Sequence, residues 1–198
     1  EAVKLLLEHS NEKEIDIYKK NNYKQTAEDL ARLKGHKDIL KLLELWTIHC
    51  LQRYPADKIN VFGFNGMHVL HYACQFGHLE LLKFIIGNPV FGINFNVANQ
   101  GGNTPLHMAC FYGHFEVVKL LLENSNEKEI DIYKKNNYQQ TAEDLARLKG
   151  HQDILELLTI HCLQRFPDKI NVLGPSETHV LHYACQFGHV DLLKYIFG

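Results

Sequence analysis

One stretch of this chain is written twice. Lys4–Leu43 recurs as Lys119–Leu158, 115 residues further on, with differences only at His9/Asn124, Lys24/Gln139, Lys37/Gln152 and Lys41/Glu156. Thr47–Pro55 then recurs as Thr159–Pro167, and Asp57–Gly87 as Asp168–Gly198. A shorter unit lies inside the long one, marked at Thr26, His68, Thr104, Thr141 and His179, with spacings of 36 to 42 residues. Self-similarity at such a period signals one small supersecondary unit stacked several times. A unit this short cannot bury its own apolar face and hides it against a neighbour.

The unit at Gly102–Leu122 shows what is being stacked. Thr104 is a good N-cap, because its hydroxyl accepts from an orphaned amide of the first turn, and Pro105 follows at the first helical position. Leu106, Ala109 and Cys110 then fall on one small-residue face. Gly113 supplies the positive φ that ends a helix. Val117, Val118, Leu121 and Leu122 make a second apolar stripe of the same period. The reading is helix, tight turn, helix.

Thr104-Pro105-Leu106-His107-x-Ala109, followed by Gly113-His114 and Val117-Val118-x-Leu120-Leu121, resembles the ankyrin repeat. The resemblance implies an all-α solenoid of stacked helix-turn-helix units joined by short β-hairpin loops. The repeats fall at 16–51, 58–87, 94–123, 131–163 and 169–198, after a partial unit at 1–10. Both ends carry the apolar residues of internal units, so the chain reads as one array within a longer protein. In the units at Thr26 and Thr141, alanine, glutamate and aspartate replace proline, leucine and histidine, so Asp29 needs a partner other than the usual one. His68 is a poorer cap than threonine, and the helix after it is expected to begin less firmly. The hairpins are expected near Asp16–Tyr23, Asn60–Met67, Asn96–Asn103, Asp131–Tyr138 and Asn171–Thr178, with Gly101-Gly102 and Asn21-Asn22 supplying φ > 0.

The formal net charge of −2 favours neither nucleic acid nor an acidic surface, and no sustained basic stripe exists. No apolar run reaches the roughly 18 residues of a membrane span, and no signal peptide is visible. Cys50, Cys74, Cys110, Cys162 and Cys185 form no CxxC. Cys74, Cys110 and Cys185 share the small-residue position that the apolar pattern buries, which fits free thiols in a reducing compartment, cytoplasm or nucleus.

Thirteen histidines invite a metal reading. His68-x-x-His71-x-x-Cys74 and His179-x-x-His182-x-x-Cys185 offer zinc donors at i, i+3 and i+6. The i+6 position lies off the shared face, and a fourth ligand is missing. The resemblance assigns His71, His107 and His182, and likewise His36, His78, His114, His151 and His189 after the turn glycine, to structural hydrogen bonds, so no metal and no cofactor are expected. No nucleophile constellation and no phosphate-cradling glycine frame stand out, and no enzymatic role is expected.

In the resembling family, hairpin tips and inner helices line a concave face that varies with the partner. The positions ending each inner helix read Leu33-Lys34, Gln75-Phe76, Phe111-Tyr112, Leu148-Lys149 and Gln186-Phe187. Exposed aromatics there are good anchors. The expected contact residues are Phe111, Tyr112, Gln75, Phe76, Gln186, Phe187, Lys34 and Lys149, with Phe64, Asn65, Tyr23, Tyr138 and Gln100 at the tips. The competing expectation for Phe76, Phe111 and Phe187 is packing on the next repeat. Function follows as recognition of a protein partner by a monomeric array. The alternative is a structural spacer whose neighbouring domains do the work.

Overall fold

The computed structural model describes residues 21–53, 67–89, 92–165, 185 and 190–197. The helices pair as expected. α1 (Ala27–Leu33) and α2 (Lys37–Arg53) form one unit, α3 (Val69–Phe76) and α4 (Leu79–Ile86) the next, then α5 (Pro105–Tyr112) with α6 (Phe115–Glu123), and α7 (Ala142–Lys149) with α8 (Gln152–Arg165). A last outer helix, α9 (Val190–Phe197), packs on α8. Inner helices α3, α5 and α7 lie side by side, and the outer helices α2, α4, α6 and α8 form a second row.

Small residues permit this close approach. Ala73, Cys74, Ala109, Cys110 and Ala146 are fully buried between inner helices. Leu81, Leu82, Val117, Val118, Leu121, Ile154 and Leu155 fill the space between the two rows. Dense packing of this kind, repeated at each interface, is what a solenoid has in place of a central core. Cys74 and Cys110 are buried as the pattern required, but Cys185 is exposed.

Each inner helix opens with a reciprocal cap. At α5, the Thr104 hydroxyl accepts from the His107 amide (3.4 Å) while His107 Nδ1 accepts from the Thr104 amide (3.2 Å). At α1, Asp29 takes the histidine's part: its Oδ2 accepts from the Thr26 amide (2.8 Å) and hydroxyl (2.9 Å). Asp144 does the same with Thr141. The weak start expected at His68 is corrected. His68 Nδ1 accepts from the Leu70 amide (3.2 Å), and the His68 amide donates to His71 Nδ1 (2.9 Å), so two imidazoles complete the cap that one threonine would begin.

The hairpins expected near Asn60–Met67 and Asn171–Thr178 lie outside the described residues except for Met67, as does the start of the first, at 16–20. The three tips that are described differ from expectation. Among the described residues they contain no strand; each is a five-residue turn wound around one asparagine. Asn21 Oδ1 accepts from the amides of Tyr23 and Gln25. Asn99 serves Gly101 and Asn103, and Asn136 serves Tyr138 and Gln140. The positive φ falls on Lys24 (61°), Gly102 (76°) and Gln139 (60°), not on Asn21-Asn22. The asparagines act through their side chains, which satisfies the turn amides that a strand ladder would otherwise serve.

The two long copies differ in one element. α2 has 17 residues and α8 has 14, because Glu44-Leu45-Trp46 has no counterpart between Leu158 and Thr159. Glu44 uses this extra length. Its Oε1 accepts from the amides of Glu80 and Leu81 (both 3.1 Å) at the start of α4, where His78 provides no side-chain cap.

Candidate interaction face

The face made by inner helices and tips is held in register by a ladder running along the array. His71 Nε2 donates to the Asn103 carbonyl (2.9 Å) and His107 Nε2 to the Gln140 carbonyl (3.0 Å), each one repeat ahead. His114 Nε2 donates back to the Gln75 carbonyl (2.8 Å), and His151 Nε2 to the Phe111 carbonyl (3.3 Å). Both ring nitrogens of His71 and His107 are thereby occupied by the backbone and the cap. Burial is the main cause that lowers the pKa of His71, His107 and His114, and it takes His68 down to about 4. The rings of His71, His107 and His114 are structural donors, and that of His68 is an acceptor in its cap.

The tips join the same ladder. The Asn137 amide donates to the Gly101 carbonyl (3.1 Å), Asn137 Nδ2 to the Gln100 carbonyl (3.0 Å) and Asn136 Nδ2 to Asn103 Oδ1 (2.9 Å). The tips at 99–103 and 136–140 are therefore joined into one rim.

α1 is attached to α3 by other means. A carboxylate at position 29 cannot donate forward as His71 and His107 do. The joint is carried by charge: the Arg32 guanidinium donates to the Phe76 carbonyl (2.7 Å) and to Glu28 Oε1 (3.2 Å), and its carbon lies 5.2 Å from the Phe76 ring centre. Glu28 is buried and also meets His78 Nε2 at 2.9 Å.

Between α1, α3, α5 and the rim lies a groove of about 340 Å³. Asp29, Tyr72, Gln75, Gln100 and Tyr112 line it, with Met67 and the flank of Phe76. Of the expected contact residues, Gln75, Gln100 and Tyr112 converge here, and Tyr112 is 45% exposed. Phe76 is a correction. It lines the wall but is only 7% exposed, stacked on Tyr72 and covered by Arg32, so it is not an exposed anchor. Phe111 is half-buried, with Tyr112 edge-on at 5.1 Å and Lys149 Nζ 4.3 Å from its ring centre. Lys34, Tyr23 and Tyr138 are exposed, the last two on the rim. Phe64, Asn65, Gln186 and Phe187 lie outside the described residues.

Sequence reasoning missed Asp29 and Tyr72 as groove residues. The inner-helix period could have placed both on the face of Gln75 and Phe76. It also missed a hollow of about 470 Å³ between Ser125–Tyr133 and Arg165. Close to it, Ser125 Oγ meets His161 Nε2 at 3.1 Å, and the Tyr133 hydroxyl meets Cys162 Sγ at 3.2 Å. Ser125 is 2% exposed, so this pair ties a loop to α8 and offers no accessible nucleophile. No described helix is long and apolar enough to cross a membrane.

Comparison with known proteins bears on the whole stack. A family model described as ankyrin repeats (3 copies) matches residues 44–136 and 70–165, together more than half of the chain. No curated protein matches the chain.

Proposed function

The chain belongs to the ankyrin-repeat family, and we propose that it recognises a protein partner through the groove and rim formed by α1, α3, α5 and the tips. Repeats of this family are in general protein–protein interaction modules and are not typically enzymes. The observation that carries the reading is convergence. Gln75, Gln100 and Tyr112 come from three different segments, reach one groove, and make no side-chain hydrogen bond among the described residues. The histidine ladder beneath them fixes the backbone that carries these side chains on a stiff scaffold. A partner then meets preset donors and acceptors and orders little on binding. The half-exposed ring of Tyr112 is the natural anchor, since it offers area and a polar tip at low entropic cost. The array acts as a monomer, and its free thiols suit the reducing cytoplasm.

The test is a selection of displayed peptides on the folded chain. Binders should compete for one face, and Tyr112→Ala combined with Gln75→Ala should weaken them at least tenfold. Binders indifferent to both changes, or none at all, would favour the spacer role.

A further inference from the structure

We infer that the groove between α1, α3 and α5 is built for one cationic side chain of the partner, a guanidinium or ammonium group, with Asp29 as its counter-ion. This rests on the reading that the face binds a protein, and it adds the chemistry of the contact.

The chain carries its own control. Asp29 and Asp144 stand at the same position of two nearly identical segments, and each spends one carboxylate oxygen on its threonine cap. Their second oxygens differ. Asp144 Oδ1 is met by Arg147 Nη1 at 3.4 Å. Arg32 pairs with Glu28 just as Arg147 pairs with Glu143, but its remaining reach goes across to the Phe76 carbonyl, so Asp29 has no ion pair among the described residues. Of the described residues that line the groove, Asp29 is the one that is charged. Among the described residues, Arg32 on the same helix is already engaged, and Lys34 is exposed at its end.

The walls suit a cation as well. Tyr72 and Tyr112 bring aromatic rings to the same hollow, and ring faces attract cations. Gln75 and Gln100 line the same hollow, and their amide oxygens are able to accept N–H groups. Asp29 is close enough to Tyr112 that, after burial, its charge is the second cause raising the phenol pKa. A planar guanidinium matches a carboxylate and two amides better than a point charge does, so arginine should be preferred to lysine.

The experiment is an NMR titration of the ¹⁵N-labelled chain at fixed ionic strength with N-acetylarginine amide. N-acetyl-lysine amide and the neutral isostere N-acetylcitrulline amide serve as comparisons. Saturable shifts are expected at Asp29, Gln75, Gln100 and Tyr112 with arginine, weaker ones with lysine, and at least tenfold weaker binding with citrulline. Asp29→Asn should weaken binding at least fivefold, and Asp144→Asn should leave it unchanged. Because Asp29 also caps α1, Tyr112→Ala is the second variant; it should weaken binding without touching the cap. No saturable shift, equal binding of citrulline, or dependence on Asp144 in place of Asp29 would overturn the inference. Selected peptides that occupy the face without a basic residue at Asp29 would overturn it alone, whereas absence of any binder at the face would remove the broader reading too.

Discussion

Gly77 and Gly113 join repeats by what they lack. At both, φ is positive, and a methyl group would meet the histidine of the next repeat: His114 Nδ1 at 2.6 Å and His151 Cε1 at 2.5 Å. At Gly35 φ is also positive (72°), but nothing lies within 4 Å, because His78 has turned to Glu28. Gly113→Ala should therefore lose about 3 kcal/mol, strain plus clash, and Gly35→Ala about 1 kcal/mol, strain alone, as read by urea denaturation. The buried histidines make a second residue-scale prediction. Folding holds His68 neutral down to about 4, against 6.5 in the unfolded chain, and holds His71, His107 and His114 neutral below 6.5 as well. Lowered pKa means that the unfolded chain binds more protons below 6.5, so stability is full above that pH and falls as pH drops toward 4. Between pH 7 and pH 5 the urea midpoint should fall, with roughly 2 kcal/mol lost through His68 alone.

At the scale of elements, the helix pairs and their punctuation were legible. Thr104, Pro105 and Gly113 sit at cap, first turn and stop, because each acts through backbone geometry that one residue dictates. The tips were less so. Asparagine was expected to take the positive φ itself, yet it spends its side chain on the turn amides and leaves that φ to Lys24 and Gln139, at a steric cost of about 1 kcal/mol each. Glu44 was not legible either, since its role depends on where a helix three residues longer delivers it in space. Three residues fall about 60° short of a full turn, so the insertion rotates whatever follows it as well as adding length. Glu44→Ala should cost about 1 kcal/mol and raise hydrogen exchange at Glu80 and Leu81, the two amides it accepts from at the α4 start. Unchanged exchange there would mean that water serves the helix end equally well.

Across the whole molecule, identical segments acquire different properties from their neighbours. Leu30 is 39% exposed and Leu145 6%; Ile39 is 45% exposed and Ile154 fully buried, because α5 and α6 lie against the second copy. The burial of a residue in a stack belongs to the interface, so Leu145→Ala should lose about 3 kcal/mol and Leu30→Ala under about 1 kcal/mol in denaturation experiments. The same dependence limited the sequence reading of the face. Gln75 and Tyr112 were placed there by the family resemblance, but Phe76 was drawn under Arg32 by a partner 44 residues away, which no local pattern encodes. Site-specific photo-crosslinking tests the face itself most directly. A benzophenone side chain at Tyr112, in the groove, is compared with one at Lys119, exposed on outer helix α6. Discrete protein adducts from Tyr112 and none from Lys119 are the expected result; adducts from Lys119 alone, or the same adducts from both, would contradict recognition through this groove.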